Sequence, residues 1–216
     1  MTPPAATPSP AARAAGYALF VGLSVALLVA GLRLDRADFT APFVYRADAL
    51  FYLSVVKAIP ERGGHWRNER LGAPGIQELH DFPPADHLHY AALWAIGQAW
   101  PDPFAAYNLY YLLTYPLTVL TGMAVLRHFG LSVPAAGCAA TLYAFQPYHY
   151  LRAELGHCFL AAYFVVPLTL AVALWVCRGR LPFFRPRGDG GYRLAVGNAD
   201  TLAAGAVAVL TASAGV

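Results

Sequence analysis

The stretch GYALFVGLSVALLVAGL, residues 16–32, contains no charged side chain and decides the fold class. A bilayer core about 30 Å thick requires roughly 20 apolar residues in one helix. The run therefore predicts a membrane span near the amino terminus. The alternative is the hydrophobic region of a secretory signal peptide, but only Arg13 precedes the run and the cleavage motif after Gly31 is poor.

The composition of the whole chain agrees with a membrane protein. Of the 216 residues, 58% are hydrophobic and 12% are charged, whereas soluble domains have about 45–50% and about 25%. These values argue against a soluble globular enzyme and against a disordered protein. A net charge of +3 is too small to indicate a nucleic acid partner. We expect an all-α fold, a polytopic transmembrane helical bundle.

Further apolar runs divide the chain into spans. Residues 1–14 are predicted to be a disordered arm, and residues 15–216 to form the membrane domain. The later spans are predicted at 104–126, 132–146, 158–177 and 199–216. The last stops without a flank, which indicates a fragment of a longer protein. Four tyrosines at the start of the second span are expected in the aromatic belt at the membrane interface: Tyr107, Tyr110, Tyr111 and Tyr115.

The long polar segment 33–103 is expected to bear two interfacial helices, at 47–59 and about 86–99. Each has roughly 14 residues, too few to span comfortably. Arginines in the short loops 127–134 and 178–196 place those loops on the cytoplasmic side, together with the amino terminus. Segments 33–103 and 147–157 then face the periplasm of a bacterial inner membrane.

Acidic and histidine side chains are concentrated on this predicted outer side. Ten of the twelve acidic residues and six of the seven histidines lie there. A catalytic surface would produce this asymmetry, but any long loop must also be polar.

Asp48, in YRADALFYL, begins the first predicted interfacial helix. The helix dipole stabilises an ionised carboxylate at this position. Such a carboxylate can act as general base on a sugar hydroxyl. It can equally be a helix cap without catalytic function.

Residues 80–89, HDFPPADHLH, combine carboxylates with imidazoles. These groups suit Mn²⁺ or Zn²⁺, and His80 and Asp86 are the candidate metal ligands. The adjacent prolines indicate a rigid turn that presents Asp81. No HExxH signature is present, and a helix cap with solvated histidines is the alternative.

Two further segments could hold a phosphate, because arginine binds phosphate in a bidentate manner. RNERLGAPG, residues 67–75, offers Arg67, Asn68 and Arg70 beside glycines, although it lacks the P-loop GKS/T and could be a surface turn. YHYLRAELGH, residues 148–157, offers three candidate substrate-binding residues: His149, Arg152 and His157. Arg152 could instead form an ion pair with Glu154.

The order of these segments resembles the C-type (GT-C fold) integral-membrane glycosyltransferases. The runs DALFYL, NERLGAPG, HDFPPADHLHY and NLYYLLTYPLTVLTG resemble a largely uncharacterised bacterial group of multi-pass proteins. The resemblance extends over about residues 16–177. It implies transfer of a sugar from a polyprenyl-phosphate donor to a glycan or lipid acceptor.

The resemblance also implies roles for individual residues. An acidic residue in the first outer loop is the catalytic base of that family, which by position is Asp48, with Asp81 as the second candidate. Many members have an Asp-Glu pair there, whereas Ala49 follows Asp48 here. Some members use a divalent metal, so Mg²⁺ or Mn²⁺ is a candidate cofactor.

Two other classes remain open. A transporter or flippase needs charged residues within its spans, and the predicted spans 16–32, 104–126, 135–146 and 158–177 contain none. A non-catalytic subunit of cell-envelope polysaccharide assembly has no need of clustered carboxylates and histidines.

Overall fold

The structure, a computed structural model, describes residues 9–62, 64–79 and 86–215. It is mostly helical. The helices are α1 (Pro10–Gly31), α2 (Asp48–Arg62), α3 (His87–Ala99), α4 (Pro103–His128), α5 (Val133–Ala144), α6 (Pro147–Glu154), α7 (Cys158–Ala161), α8 (Val166–Cys177) and α9 (Ala199–Ser213). Two antiparallel hairpins interrupt them, β1 (Arg67–Asn68) with β2 (Gln77–Glu78), and β3 (Phe184–Pro186) with β4 (Tyr192–Leu194).

Three helical segments are long and apolar enough to cross a membrane: Pro10–Gly31, Pro103–His128 and Cys158–Cys177. The first begins before the predicted span, because Ser9 accepts a hydrogen bond from the Ala12 N–H at 3.2 Å and Pro10 occupies the first turn. Residues 10–14, expected to be disordered, are therefore helical. The third segment contains a 3-10 turn, Tyr163–Val165, between α7 and α8.

The helices predicted at 47–59 and 86–99 agree closely with α2 and α3. The expectations for 132–157 need correction. Helix α5 has 12 residues, so it is about 18 Å long and too short to cross a 30 Å core by itself. Residues 147–154, expected in a polar loop, form α6, which Pro147 begins.

Helix α4 lies at the centre of the fold and packs against α1, α2, α3, α5 and α8. Its tyrosines were expected in the membrane interface, but Tyr107, Tyr110, Tyr111 and Tyr115 are all buried in the protein. Phe159 packs against several aromatic rings in the largest core cluster. Its ring centroid lies 4.5 Å from that of Tyr52 and 4.7 Å from that of His89. The tyrosines are thus core residues whose hydroxyls remain hydrogen-bonding groups.

Small residues let α5 approach α1 and α4 closely. A Cβ at Gly137 would lie 2.2 Å from the Phe20 ring of α1, and one at Gly122 would lie 3.1 Å from the Cβ of Ala140. Close helix packing through glycine and alanine is typical of helices in membranes. Outward-facing side chains of α1, among them Leu19, Leu23 and Val25, are exposed.

Candidate functional site

Asp48 is the first residue of α2, and its side chain is 62% exposed. Ala47 before it adopts a left-handed conformation with φ 48°, which turns the chain into the helix. Ala49 after it is completely buried. The carboxylate therefore stands at the positive end of the helix dipole, on a rigidly held backbone and open to a substrate.

Gly156, in the turn between α6 and α7, packs directly against this helix start. A Cβ at Gly156 would lie 2.7 Å from both the Ala49 nitrogen and the Arg46 carbonyl oxygen. The glycine also has a φ of +84°, which residues with a side chain rarely adopt. The turn thus brings residues 152–157 against Asp48, although they lie more than a hundred positions later in the chain.

His157 connects Asp48 to Arg152. Its Nε2 lies 3.1 Å from Oδ2 of Asp48, and its Nδ1 lies 3.4 Å from Nη1 of Arg152. A guanidinium can only donate, so Nδ1 must accept. The ring proton is then on Nε2, which lies at ion-pair distance from the Asp48 carboxylate. The Asp48 carboxylate is therefore close to one imidazole and otherwise largely exposed.

An ion pair between Arg46 and Glu154 lies beside this arrangement. Arg46 donates from Nη2 to Oε2 of Glu154 at 3.3 Å, and from Nε to the Glu154 carbonyl oxygen. The Glu154 carboxylate also raises the pKa of the neighbouring Tyr150 hydroxyl. Five groups therefore surround the start of α2, two cationic, two anionic and one imidazole.

An apolar groove of about 210 Å³ lies beside this cluster. Glu154 and Tyr150 contribute to its lining, so the groove and the ionic cluster share a border. The remaining lining is almost wholly hydrophobic and comes from the end of α1, the following segment, α4 and α6: Leu32, Leu34, Ala37, Phe43, Val44, Tyr111 and Ala153. The arrangement can hold an apolar chain beside a polar, charged head group.

His149, predicted to bind substrate, lies instead in the protein interior. Its ring stacks on Tyr115 at 3.6 Å, Nδ1 donates to the Ala144 carbonyl at 2.9 Å, and Nε2 bonds the Thr114 hydroxyl at 2.8 Å. Burial lowers its pKa to about 4. His149 therefore holds α4, α5 and α6 together as a neutral residue.

Arg67, Asn68 and Arg70 lie away from Asp48. Asn68 accepts the Arg70 backbone N–H at 3.0 Å, Arg67 pairs with Glu69 at 3.7 Å, and Arg70 pairs with Glu61 at 2.7 Å. Glu61 is near the end of α2, about 20 Å along the helix axis from Asp48. One phosphate cannot contact both Arg70 and Asp48, so Arg152 and Arg46 are the arginines at the site.

Of the two predicted metal ligands, His80 and Asp86, the structure describes only Asp86. His80 and Asp81 lie outside the described residues. Asp86 occupies the N-cap position of α3, but its side chain makes no capping hydrogen bond. It is only 6% exposed, and burial raises the pKa of its carboxyl to about 6. Among the residues that the structure describes, no group of three or more His, Cys, Asp or Glu side chains is placed to hold a metal ion.

Sequence reasoning missed Arg46, Tyr150 and Gly156. Arg46 carries no motif, since its partner Glu154 is 108 positions away. Tyr150 is four residues before Glu154, in a segment that was expected to be a loop. The signal that could have found Gly156 is its position directly before a candidate site residue, where glycine often permits close approach.

No protein-family model, no curated protein and no solved structure matches this chain. The features of the molecule itself therefore define its class, a mostly helical protein with three segments capable of crossing a membrane.

Proposed function

We propose that this chain belongs to a polytopic membrane glycosyltransferase, with its amino terminus in the cytoplasm of a bacterium and its site on the periplasmic face of the inner membrane. It moves a sugar from a polyprenyl-phosphate donor to a hydroxyl of a glycan or lipid acceptor. One observation carries the proposal: the exposed Asp48 carboxylate lies 3.1 Å from the His157 imidazole, in an ionic cluster whose Glu154 lines an apolar groove.

In the proposed reaction, the Asp48 carboxylate takes the proton of the acceptor hydroxyl. The hydroxyl oxygen attacks the anomeric carbon from the face opposite the phosphate. The bond between that carbon and the phosphate oxygen breaks, and the polyprenyl phosphate leaves with both electrons. Arg152 and Arg46 stabilise the negative charge that develops on the leaving phosphate. Configuration at the anomeric carbon inverts.

The groove explains why a lipid-linked donor fits better than a soluble one. Its hydrophobic side chains begin at Leu32, just beyond the apolar helix α1, so an acyl or isoprenoid chain can reach it from the bilayer. The charged cluster at its border then matches a phosphate at the head of that chain.

Asp81 remains the second candidate base, and a divalent ion held by His80 and Asp86 remains a proposal about cofactors. A chelator tests the cofactor independently of Asp48.

The test compares sugar transfer in membranes by the full-length protein and its Asp48→Asn variant, with labelled polyprenyl-phosphate sugars. We expect the variant to lose about 10²–10⁴-fold of the rate. Asp35→Asn is the matched control, because Asp35 is a similarly exposed, ion-paired carboxylate in the same segment. Equal transfer by wild type and Asp48→Asn would remove Asp48 from catalysis.

A flippase for a lipid-linked solute is the second candidate. The 3-10 turn Tyr163–Val165 interrupts a candidate span at buried residues, and interrupted helices form the substrate sites of many transporters. A wild-type protein that moves labelled lipid across vesicles without transferring its sugar would favour this candidate.

A further inference from the structure

The β3–β4 hairpin has one apolar face and one basic face. Its register pairs Phe184 with Leu194, Arg185 with Arg193, and Pro186 with Tyr192. Residues directly opposite each other project to the same face, and faces alternate along a strand. One face therefore carries Phe184, Leu194, Pro186 and Tyr192, and the other carries two arginines.

The apolar face is the one turned away from the protein. Phe184, Tyr192 and Leu194 are 45%, 61% and 67% exposed. Arg185, on the opposite face, reaches inward to Asp200 at 3.7 Å and to the Leu181 carbonyl oxygen at 3.3 Å. A two-stranded hairpin in water is expected to turn its apolar face toward the protein, so an apolar environment would account for the observed orientation.

The exposed face continues the apolar surface of the neighbouring helices. Helix α8 ends shortly before β3 and exposes Leu174 and Val176, while α9 starts shortly after β4 and exposes Leu202. Arg180 forms a bidentate ion pair with Asp200 at the start of α9. This ion pair holds the two ends of the hairpin segment next to each other, where α8 ends and α9 begins.

Basic side chains accompany this apolar surface. Within the described part of the chain, Arg187 and Arg193 have no side-chain hydrogen bond or ion pair. Arg193 also lies directly opposite Arg185, and like charges in this position repel each other. An anion near these arginines would remove that repulsion.

We propose that the β3–β4 hairpin lies flat in the membrane interface and binds anionic phospholipid. Phe184, Tyr192 and Leu194 enter the boundary between head groups and acyl chains. Arg187 and Arg193 extend to the phosphate level on the aqueous side, as long cationic side chains do at interfaces. The inference rests on the proposed membrane placement but not on the proposed reaction.

The test places an environment-sensitive thiol fluorophore at Tyr192→Cys in the full-length protein, with Cys138 and Cys177 replaced by alanine and buried Cys158 retained. Asp189→Cys, at the tip of the same hairpin, is the matched control. In phosphatidylcholine–phosphatidylglycerol vesicles, a lipid-borne nitroxide should quench the label at 192 several-fold more than the label at 189, and aqueous iodide should do the reverse. Equal quenching at both positions, or shielding of 192 from both quenchers, would overturn the proposal.

The anionic preference is tested with the nitroxide on phosphatidylglycerol or on phosphatidylcholine at equal mole fraction. Quenching at 192 should be stronger from phosphatidylglycerol, and Arg187→Gln/Arg193→Gln should reduce this enrichment about fivefold for each arginine removed. Equal quenching by the two lipids in the unsubstituted hairpin would overturn the anionic part. Flotation measures whether the protein has inserted into the vesicles at all. A protein that does not float with them would refute the membrane placement, whereas a floating protein with an unquenched label would show that the hairpin lies in water.

Discussion

Gly156 determines whether Asp48 and His157 can meet. The residue provides a positive φ and a contact that leaves no room for a Cβ. Gly130 offers a comparison, since its φ is also positive, at +94°, but a Cβ there would meet open space. Alanine substitutions at these two glycines therefore distinguish the cost of backbone strain, which both share, from the cost of close packing, which only Gly156 has.

Gly156→Ala is expected to lower both stability and transfer activity. The left-handed backbone costs roughly 1–2 kcal/mol for alanine, and crowding against α2 adds about 1–3 kcal/mol. Gly130→Ala should show only the first loss and keep its activity. Thermal unfolding in detergent and transfer in membranes measure the two effects, and equal stability of the two variants would contradict a packing role for Gly156.

Ionisation of the buried Asp86 carboxyl should lower the free energy of unfolding as pH rises. Burial raises its pKa from 3.8 to about 6, so between these pH values the folded state binds more protons than the unfolded state. Stability therefore falls as pH increases from about 4 to about 6. Asp86→Asn should flatten this dependence and stabilise the protein at pH 7, as followed by thermal unfolding across pH.

Asp38→Asn is the control, because Asp38 should change stability with pH in the opposite direction to Asp86. Hydrogen bonds from Thr40 lower the pKa of Asp38, so its contribution to stability is present at neutral pH and lost in acid. If Asp86→Asn instead destabilised the protein at neutral pH, an ionised Asp86 would have a binding partner in the protein.

At the scale of elements, the contact between α1 and α5 depends on a missing side chain. Gly137→Ala should destabilise the protein by about 1–3 kcal/mol, because the new Cβ would overlap the Phe20 ring. Gly22→Ala in α1, where a Cβ meets nothing, should be neutral or stabilising. Unfolding in a denaturing detergent compares them, and Phe20→Leu combined with Gly137→Ala should recover part of the loss.

The sequence predicts elements where local patterns decide them. The apolar run 16–32 and the helix predicted at 47–59 correspond to α1 and α2. Helix α6 was missed because its polar residues suggested a loop, whereas burial of His149 against α4 makes it helical. The tyrosines of α4 were misplaced because an aromatic side chain suits both a membrane interface and a core.

In the candidate site, too, local sequence predicts some features and tertiary contacts decide the others. Asp48, Arg152 and His157 could be selected from the sequence by chemistry alone. Their convergence could not, since it depends on a glycine turn and on pairing between remote residues. Arg67, Asn68 and Arg70 looked equally suitable, and only the length of α2 separates them from Asp48.

At the scale of the whole molecule, the two basic loops and the Asp48 site are predicted on opposite sides of the membrane. Tyr45→Cys, beside the site, should react with an impermeant thiol reagent in intact bacterial cells whose outer membrane is permeable. Asp189→Cys should react only after the inner membrane is opened. Both use the background lacking Cys138 and Cys177, and reaction of both without opening would contradict the orientation.

The ion pair between Arg46 and Glu154 joins residues 108 positions apart. A ribosome adds about 5–20 residues each second, so roughly 5–20 seconds pass between synthesis of the two partners. During that interval the carboxylate at the start of α2 has Arg46 two residues before it, but neither His157 nor Arg152. The nascent protein is therefore incompetent for the proposed reaction until its later helices enter the membrane, and its own biosynthesis times when the site becomes active.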